Sequence, residues 1–499
     1  MPNRSPDTLP DHPGPATAGS GAPSADDSRF DAAGRRVLAV CMAAGFTTLL
    51  DQSVLNIAIS DVRDSLHADS AQIAWIVAGY SLAFGLALVP GGRLGDVRGR
   101  KWLFVAGLAL FTAVGALAGT AQSAWVLVAA RLLQGAGAGL VNAQMIGTLQ
   151  DVFTGTRRAR ALGLYVLTGG LSTALGPPLG GLLLALAGPE LGWRLTLLLS
   201  APFGLATVVL AARYLPAPRP RARHSDLDAV GLALVAVLTL LVMLPFIRPP
   251  GALGGAAFAV AAVAVAFAFA RWQRHYARTG RHPLLHPALA RSRPYALGTT
   301  VAMAQFGTSI AGSLIQTMFL RDALGLSALA TSAVALPAAL AMAATSSQAG
   351  RVVQRYGRSA VSLGLGLSLF ALLTAGLAGL YVPGAALPYV LACTQLAQGV
   401  SSGLIVAPNQ AFTLRHAPAE AAGVAGGILQ MSQRIAAAVG ISAVSGVYLR
   451  GSTAGLLGHR DAYWHATAAC AAVVLLALLL SLRAGRAGRA GRTAGTAGG

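Results

Sequence analysis

The chain has 499 residues, 55% of them hydrophobic and only 11% charged, with a formal net charge of +20. Soluble domains carry about 25% charged residues, so a water-soluble globular protein is excluded and an integral membrane protein of all-α class is indicated. The basic excess does not call for nucleic acid, because arginines gathered in short loops between apolar runs also arise from cytoplasmic retention of positive charge.

The N-terminal segment 1–36 is rich in Pro, Gly, Ser and Asp and cannot bury enough apolar surface to fold, so it reads as a disordered tail. A spanning helix needs about 20 mostly apolar residues. On that criterion the sequence predicts fourteen, at 37–59, 73–92, 102–120, 124–148, 161–186, 193–212, 227–247, 252–270, 295–318, 328–348, 359–380, 387–410, 422–448 and 463–482. The first is too long for a signal-peptide core of about 7–15 residues and should remain as an anchor. The tail 483–499, with its Arg-Ala-Gly repeats, is expected to be unstructured. Cys41, Cys393 and Cys470 lie in apolar runs, too scattered for a metal cluster or disulfide framework, and read as small packing residues.

An even number of spans puts both termini on one side. With that side cytoplasmic, 29 of the 37 Lys and Arg fall in inside segments and six at outside loops, a strong orientation signal for a multi-pass plasma-membrane protein. The stretch Gly91-Gly-Arg-Leu-Gly-Asp-Val-Arg-Gly-Arg-Lys101 reads as a tight charged loop. Its Gly92, Arg93, Gly99 and Arg100 recur as Gly350, Arg351, Gly357 and Arg358, 258 residues on. In the fourth span Gln134-Gly135 recurs as Gln398-Gly399 at an offset of 264. These repeats divide the chain into two six-helix bundles, 37–212 and 295–482, with a linker at 213–294 that holds two additional spans. Duplicated halves of this kind form a central site at their interface.

Asp51, of the 17 acidic residues, alone lies deep in the bilayer, about 12 Å from the outer end of its helix. Arg131, in an antiparallel helix, lies about 10 Å deep, so the two can share one level. Charges at such depth mark a proton or substrate path, or else a buried structural ion pair. Arg434 is the third intramembrane charge, with no acidic partner identifiable in the sequence. It either faces a cavity and meets an anionic or polar substrate group, or bonds to helix carbonyls. Gln52, Asn56, Gln134, Asn142, Gln398 and Gln430 are the other candidates for lining a substrate cavity. In the fifth span, Gly176, Gly180 and Gly181 permit close helix approach while Pro177 and Pro178 remove helix hydrogen bonds, which predicts a kinked hinge. Asp96, among Gly92, Arg93, Gly99, Arg100 and Lys101, can latch neighbouring helices on the cytoplasmic side.

At these residues the sequence resembles the major facilitator superfamily and, within it, the fourteen-span drug:proton antiporters. Gly92, Leu94, Asp96, Gly99, Arg100 and Lys101 match the superfamily's loop motif; Arg131, Gln134, Gly135 and Gly137 match its fourth-span motif, associated with proton transfer. Gly176, Pro177, Gly180 and Gly181 match the fifth-span antiporter motif, and Asp51 and Asn56 the first-span motif of the fourteen-span group. The resemblance covers roughly residues 37–482. It implies a major-facilitator fold and an antiporter that exports small amphipathic compounds such as antibiotics, drugs or secondary metabolites in exchange for protons, with Asp51 and Arg131 in proton coupling. An importer of the same superfamily and a membrane-embedded enzyme are the rival readings, the second disfavoured because no His lies deep in a span. Lys101 is the only lysine and no Gly-Lys-Ser/Thr phosphate loop exists, so no nucleotide-driven pump is expected. The expected partners are a small-molecule substrate, protons and the lipid bilayer, for a monomer with no nucleic acid, nucleotide, metal or cofactor.

Overall fold

A computed structural model of the chain describes residues 30–217, 226–418, 421–452 and 455–496, and every regular element among them is helical. The elements are α1 (Ala32–Ser65), α2 (Ser70–Arg98), α3 (Arg100–Gly119), α4 (Ala124–Val152), α5 (Gly155–Leu198), α6 (Ser200–Tyr214), α7 (Ala229–Ile247) and α8 (Ala252–Arg278). They continue as α9 (Pro287–Arg291), α10 (Arg293–Met318), α11 (Ala328–Ser347), α12 (Ala349–Tyr356), α13 (Ser359–Tyr381), α14 (Leu387–Arg415), α15 (Ala422–Gly451) and α16 (Gly455–Thr496). A π-helical turn, Phe319–Ala323, follows α10. In hydrocarbon each backbone polar group must be satisfied within the protein, which long apolar sequences achieve as helices. Eleven stretches among the described residues are long and apolar enough to cross a membrane, one of them the 60-residue Gly155–Tyr214. The protein is a multi-pass membrane protein.

Several boundaries differ from the sequence expectation. Residues 1–29 of the expected tail lie outside the described residues, but α1 already begins at Ala32, capped by the Asp31 carboxylate on the Gly34 N–H. At the other end α16 runs to Thr496; extending an existing helix avoids the nucleation step, and the tail stays helical despite a glycine at every third position of its repeats. The stretch 91–101 is not a loop. α2 continues to Arg98 and α3 starts at Arg100, so Gly99 alone makes the turn, with φ 84°. Its repeat partner Gly357 turns α12 into α13 with φ 55°. The backbone stays helical through Pro177 and Pro178, and the one non-helical residue in α5 is Gly188, at φ 75°, which lies in the gap expected between the spans 161–186 and 193–212. Gly188 tolerates that conformation and Pro189 fits the first turn of the helix that follows. Cys393 is exposed, unlike the buried Cys41 and Cys470.

Helix packing repeats with the sequence. α1 packs on α5 as α10 does on α15, α2 on α4 as α11 on α14, α3 on α4 as α13 on α14, and α3 on α6 as α13 on α16. The spacing of small residues in α4 explains the close approach: a methyl group at Gly135 or Gly139 would collide with the Tyr80 or Phe84 carbonyl of α2. The repeated Gly399 and Gly403 of α14 press in the same way on Ala338 and Thr345 of α11. Across the middle, α2 meets α15 and α5 meets α11.

Candidate functional site

α1 and α4 bring Asp51 and Arg131 together. An Arg131 Nη1–Asp51 Oδ2 ion pair of 2.6 Å forms with both side chains buried. Gln134, one turn along α4 from Arg131, accepts from Arg131 Nη1 at 2.6 Å and donates to Asp51 Oδ1 at 2.9 Å. The Ser200 hydroxyl at the start of α6 donates to the same Oδ1 at 3.2 Å. The guanidinium lies 4.3 Å from the centre of the Tyr80 ring on α2. Paired charges with every carboxylate oxygen hydrogen-bonded are the form in which a buried carboxylate persists.

One turn away on α2 and one residue away on α1 lies a second guanidinium. Arg434 of α15 is 4.0 Å from the Phe84 ring centre and 5.1 Å from that of Phe306 in α10, and its Nη1 donates to Gln52 Oε1 at 2.9 Å. No carboxylate pairs with it among the described residues. Asn142 of α4 donates to the Tyr165 hydroxyl at 2.9 Å. Asn56 and Gln430 are half-buried. Gln398, expected in the same cavity, accepts from Ser368 of α13 at 3.2 Å.

The glycines of α5 sit on α1. A methyl group at Gly176 would collide with Ser53, and one at Gly180 with Ile57. Gly181 presses on the backbone of Ala328 at the start of α11.

In the Gly91–Lys101 region Arg100 carries the contacts expected of a latch, donating to Asp96 Oδ1 at 2.6 Å and to Asp151 Oδ2 at the end of α4 at 2.9 Å. A methyl group at Gly147 of α4 would strike the Arg100 guanidinium. Nothing in the described surroundings of Gly92 would obstruct a side chain. Lys101 lies 5.6 Å from the ring centre of Trp102. Arg93 has a different job: it donates to the carbonyls of Asp226, His282 and Pro283 at 2.7, 2.9 and 2.6 Å, holding the segments that flank α7 and α8. Burial opposes the Asp226 charge, but hydrogen bonds from the Tyr276 hydroxyl and the His282 N–H, with Arg93 beside it, outweigh this and hold the carboxyl below the usual carboxylate range.

One cluster escaped the sequence reading. At the end of the bundle where α1 finishes, Arg63 forms two bonds to Asp322, of 2.7 and 3.2 Å, and Arg321 donates to Asp61 at 2.8 Å and to the Ile57 carbonyl at 3.3 Å. These reciprocal pairs tie α1 to the π-helical turn after α10. The signal was present: Arg63-Asp64-Ser65-Leu66 recurs as Arg321-Asp322-Ala323-Leu324 at the 258-residue offset.

Comparison with known proteins agrees with this architecture. The model of the Major Facilitator Superfamily matches residues 41–289 and 297–498. A "Probable actinorhodin transporter" of Streptomyces coelicolor is 32% identical over 432 residues, covering 84% of this chain and 72% of that protein. The tetracenomycin C resistance and export protein of Streptomyces glaucescens is 30% identical over 408 residues, covering 80% of this chain and 73% of that protein. Among solved structures, a peptide transporter in complex with sulfate superposes with a TM-score of 0.66 at 17% identity, over 92% of this chain and 97% of the other. The chain therefore belongs to the major facilitator superfamily, a family of transporters and not enzymes, and its relatives there include antibiotic exporters.

Proposed function

We propose that the protein exports small amphipathic compounds, antibiotics among them, in exchange for protons by alternating access. The observation that carries this reading is the adjacency of two sites. Asp51 pairs with Arg131 while its neighbour Gln52 bonds Arg434, and Tyr80 and Phe84, one turn apart on α2, lie against the same two guanidinium groups. A proton arriving at Asp51 neutralises the carboxylate and leaves the Arg131 charge without its counter-ion, which releases Arg131 and Gln134 and so disturbs the helix faces that hold Arg434. A change of charge at one site can thus bias the facing state that the other experiences. The names of the two Streptomyces relatives support antibiotic export as the direction and cargo.

In this reading fourteen spans form two six-helix bundles, 37–212 and 295–482, with both termini cytoplasmic and α7 and α8 inserted between the bundles. The substrate cavity draws on Gln52, Asn56, Gln134, Asn142, Gln430 and Arg434. Asp96 and Arg100 form the cytoplasmic latch, the α1–α5 contact at Gly176 to Gly181 is a pivot, and the pairs Arg63–Asp322 and Asp61–Arg321 close the outer end. The working unit is a monomer. The test is transport in everted vesicles from a host stripped of its own exporters: substrate uptake should accompany proton release from the vesicle lumen, and uptake with no proton movement would reject proton coupling.

A further inference from the structure

Arg434 is 7% exposed, and its environment is unusual for a buried cation. Both aromatic neighbours approach the guanidinium itself, Phe84 at 4.0 Å and Phe306 at 5.1 Å from ring centre to Cζ. One of its five N–H donors is spent, on Gln52 Oε1. Cation–π contacts offset only part of the desolvation of a charge, and a buried guanidinium ordinarily holds a carboxylate. The remaining Arg434 donors are not among the fully buried atoms that lack a partner, whereas Gln52 Nε2 and Asn142 Oδ1 are. Arg434 is thus short of acceptors within the protein and keeps a small open fraction. Half-buried Phe306 of α10 and Tyr165 of α5 supply apolar surface beside it.

We propose that the substrate is an amphipathic organic anion whose carboxylate is received by the free donor edge of Arg434. This deepens the export reading and rests on it. The planar fork of a guanidinium accepts a carboxylate through two parallel bonds in its own plane. Phe84 and Phe306 hold that plane in place, and Gln52 occupies one edge while Nε and Nη2 remain for the ligand. A ligand oxygen at this point also lies within one residue of Asp51 along α1, which links anion binding to the proton site.

The test uses the full chain in lipid nanodiscs with two probes of one shape, anthracene-9-carboxylate and anthracene-9-carboxamide, titrated by fluorescence anisotropy. The wild type should bind the carboxylate at least tenfold more tightly than the amide. Arg434→Gln should bring the affinities for carboxylate and amide to within about twofold of each other, and Arg434→Lys should restore part of the preference. Equal affinities in the wild type, absence of saturable carboxylate binding, or a preference that survives in Arg434→Gln would each overturn the proposal. The wild-type comparison stands even if Arg434→Gln does not fold. In proteoliposomes, export of the carboxylate against one proton moves two charges per molecule and export of the amide moves one. A charge ratio of one for the carboxylate, with its binding preference intact, would reject the proton-coupling reading and leave the anion site standing.

Discussion

The Ser53 hydroxyl of α1 donates a hydrogen bond of 3.1 Å to the carbonyl of Thr173 in α5, the acceptor that Pro177 cannot serve because its nitrogen bears no hydrogen. Gly176 allows the approach. The proline therefore opens a binding point for a neighbouring helix instead of breaking its own. Ser53→Ala leaves that carbonyl unpaired and should destabilise the protein by about 1–3 kcal/mol, read as a lowered thermal unfolding midpoint in detergent. In a Pro177→Ala background the restored N–H serves the carbonyl, so Ser53→Ala should then have almost no effect. An equal loss in both backgrounds would refute the pairing.

The reciprocal pairs Arg63–Asp322 and Asp61–Arg321 join the two repeats at one end of the bundle. Arg63→Asp puts like charges in contact and should favour the state open at that end. In a background lacking Cys41, Cys393 and Cys470, a cysteine at Ser60 should then react faster with an impermeant maleimide. Adding Asp322→Arg should return the rate toward that of the parent, with a coupling of about 0.5–3 kcal/mol. Additive effects of the two changes would remove the pair from the gating account.

Arg100 holds both Asp96 and Asp151, so the proposed latch has two arms. Asp96→Asn should slow transport and leave binding affinity nearly unchanged, because the contact lies about half a bilayer from a midplane site. The double variant Asp96→Asn, Asp151→Asn should be slower still. Parallel loss of affinity and rate in Asp96→Asn would contradict a role confined to alternation.

The helices α7 and α8, proposed as an insertion, differ from each other. α7 packs on α2 and α15, whereas α8 packs on α7 and its apolar stretch has no fully buried residue. Deleting both with a short splice should preserve part of the transport rate, and Arg93→Ala, which releases the flanking carbonyls, should reproduce most of the deficit. A folded but wholly inactive deletion would argue for a direct role of α7.

Much of this organisation was legible in the sequence because the bilayer constrains it heavily. Long apolar runs have to be helices, and a charge inside one has to find company, so Asp51 and Arg131 could be matched by depth alone. Where a backbone turns was less legible. The charged residues 91–98 look like loop, yet they extend α2 because the helix outlasts the apolar stretch, and Gly99 suffices for the turn. The break at Gly188 falls in the gap expected between the spans 161–186 and 193–212, while the backbone stays helical through Pro177, where Ser53 serves the freed carbonyl. Gln398 occupies the repeat position of Gln134 but bonds to Ser368, because Gln395 stands in α14 where Arg131 stands in α4, and the charge that organises the first half has no counterpart there. The pairing of Arg63 with Asp322 needed three dimensions, although the repeated Arg-Asp dipeptide announced it.

The central claim is that Asp51 carries the coupling proton. One proton moving inward across 100 mV releases about 2.3 kcal/mol, enough to sustain a roughly 45-fold gradient of a neutral substrate. Asp51→Asn keeps the size of the side chain and its capacity to bond Arg131 and Gln134, but removes the titration. Arg131→Ala should impair coupling more than binding. The most direct measurement is substrate accumulation by Asp51→Asn protein in proteoliposomes under an imposed pH difference. The account predicts that downhill exchange persists while accumulation against the gradient is lost; accumulation at the wild-type level would contradict it.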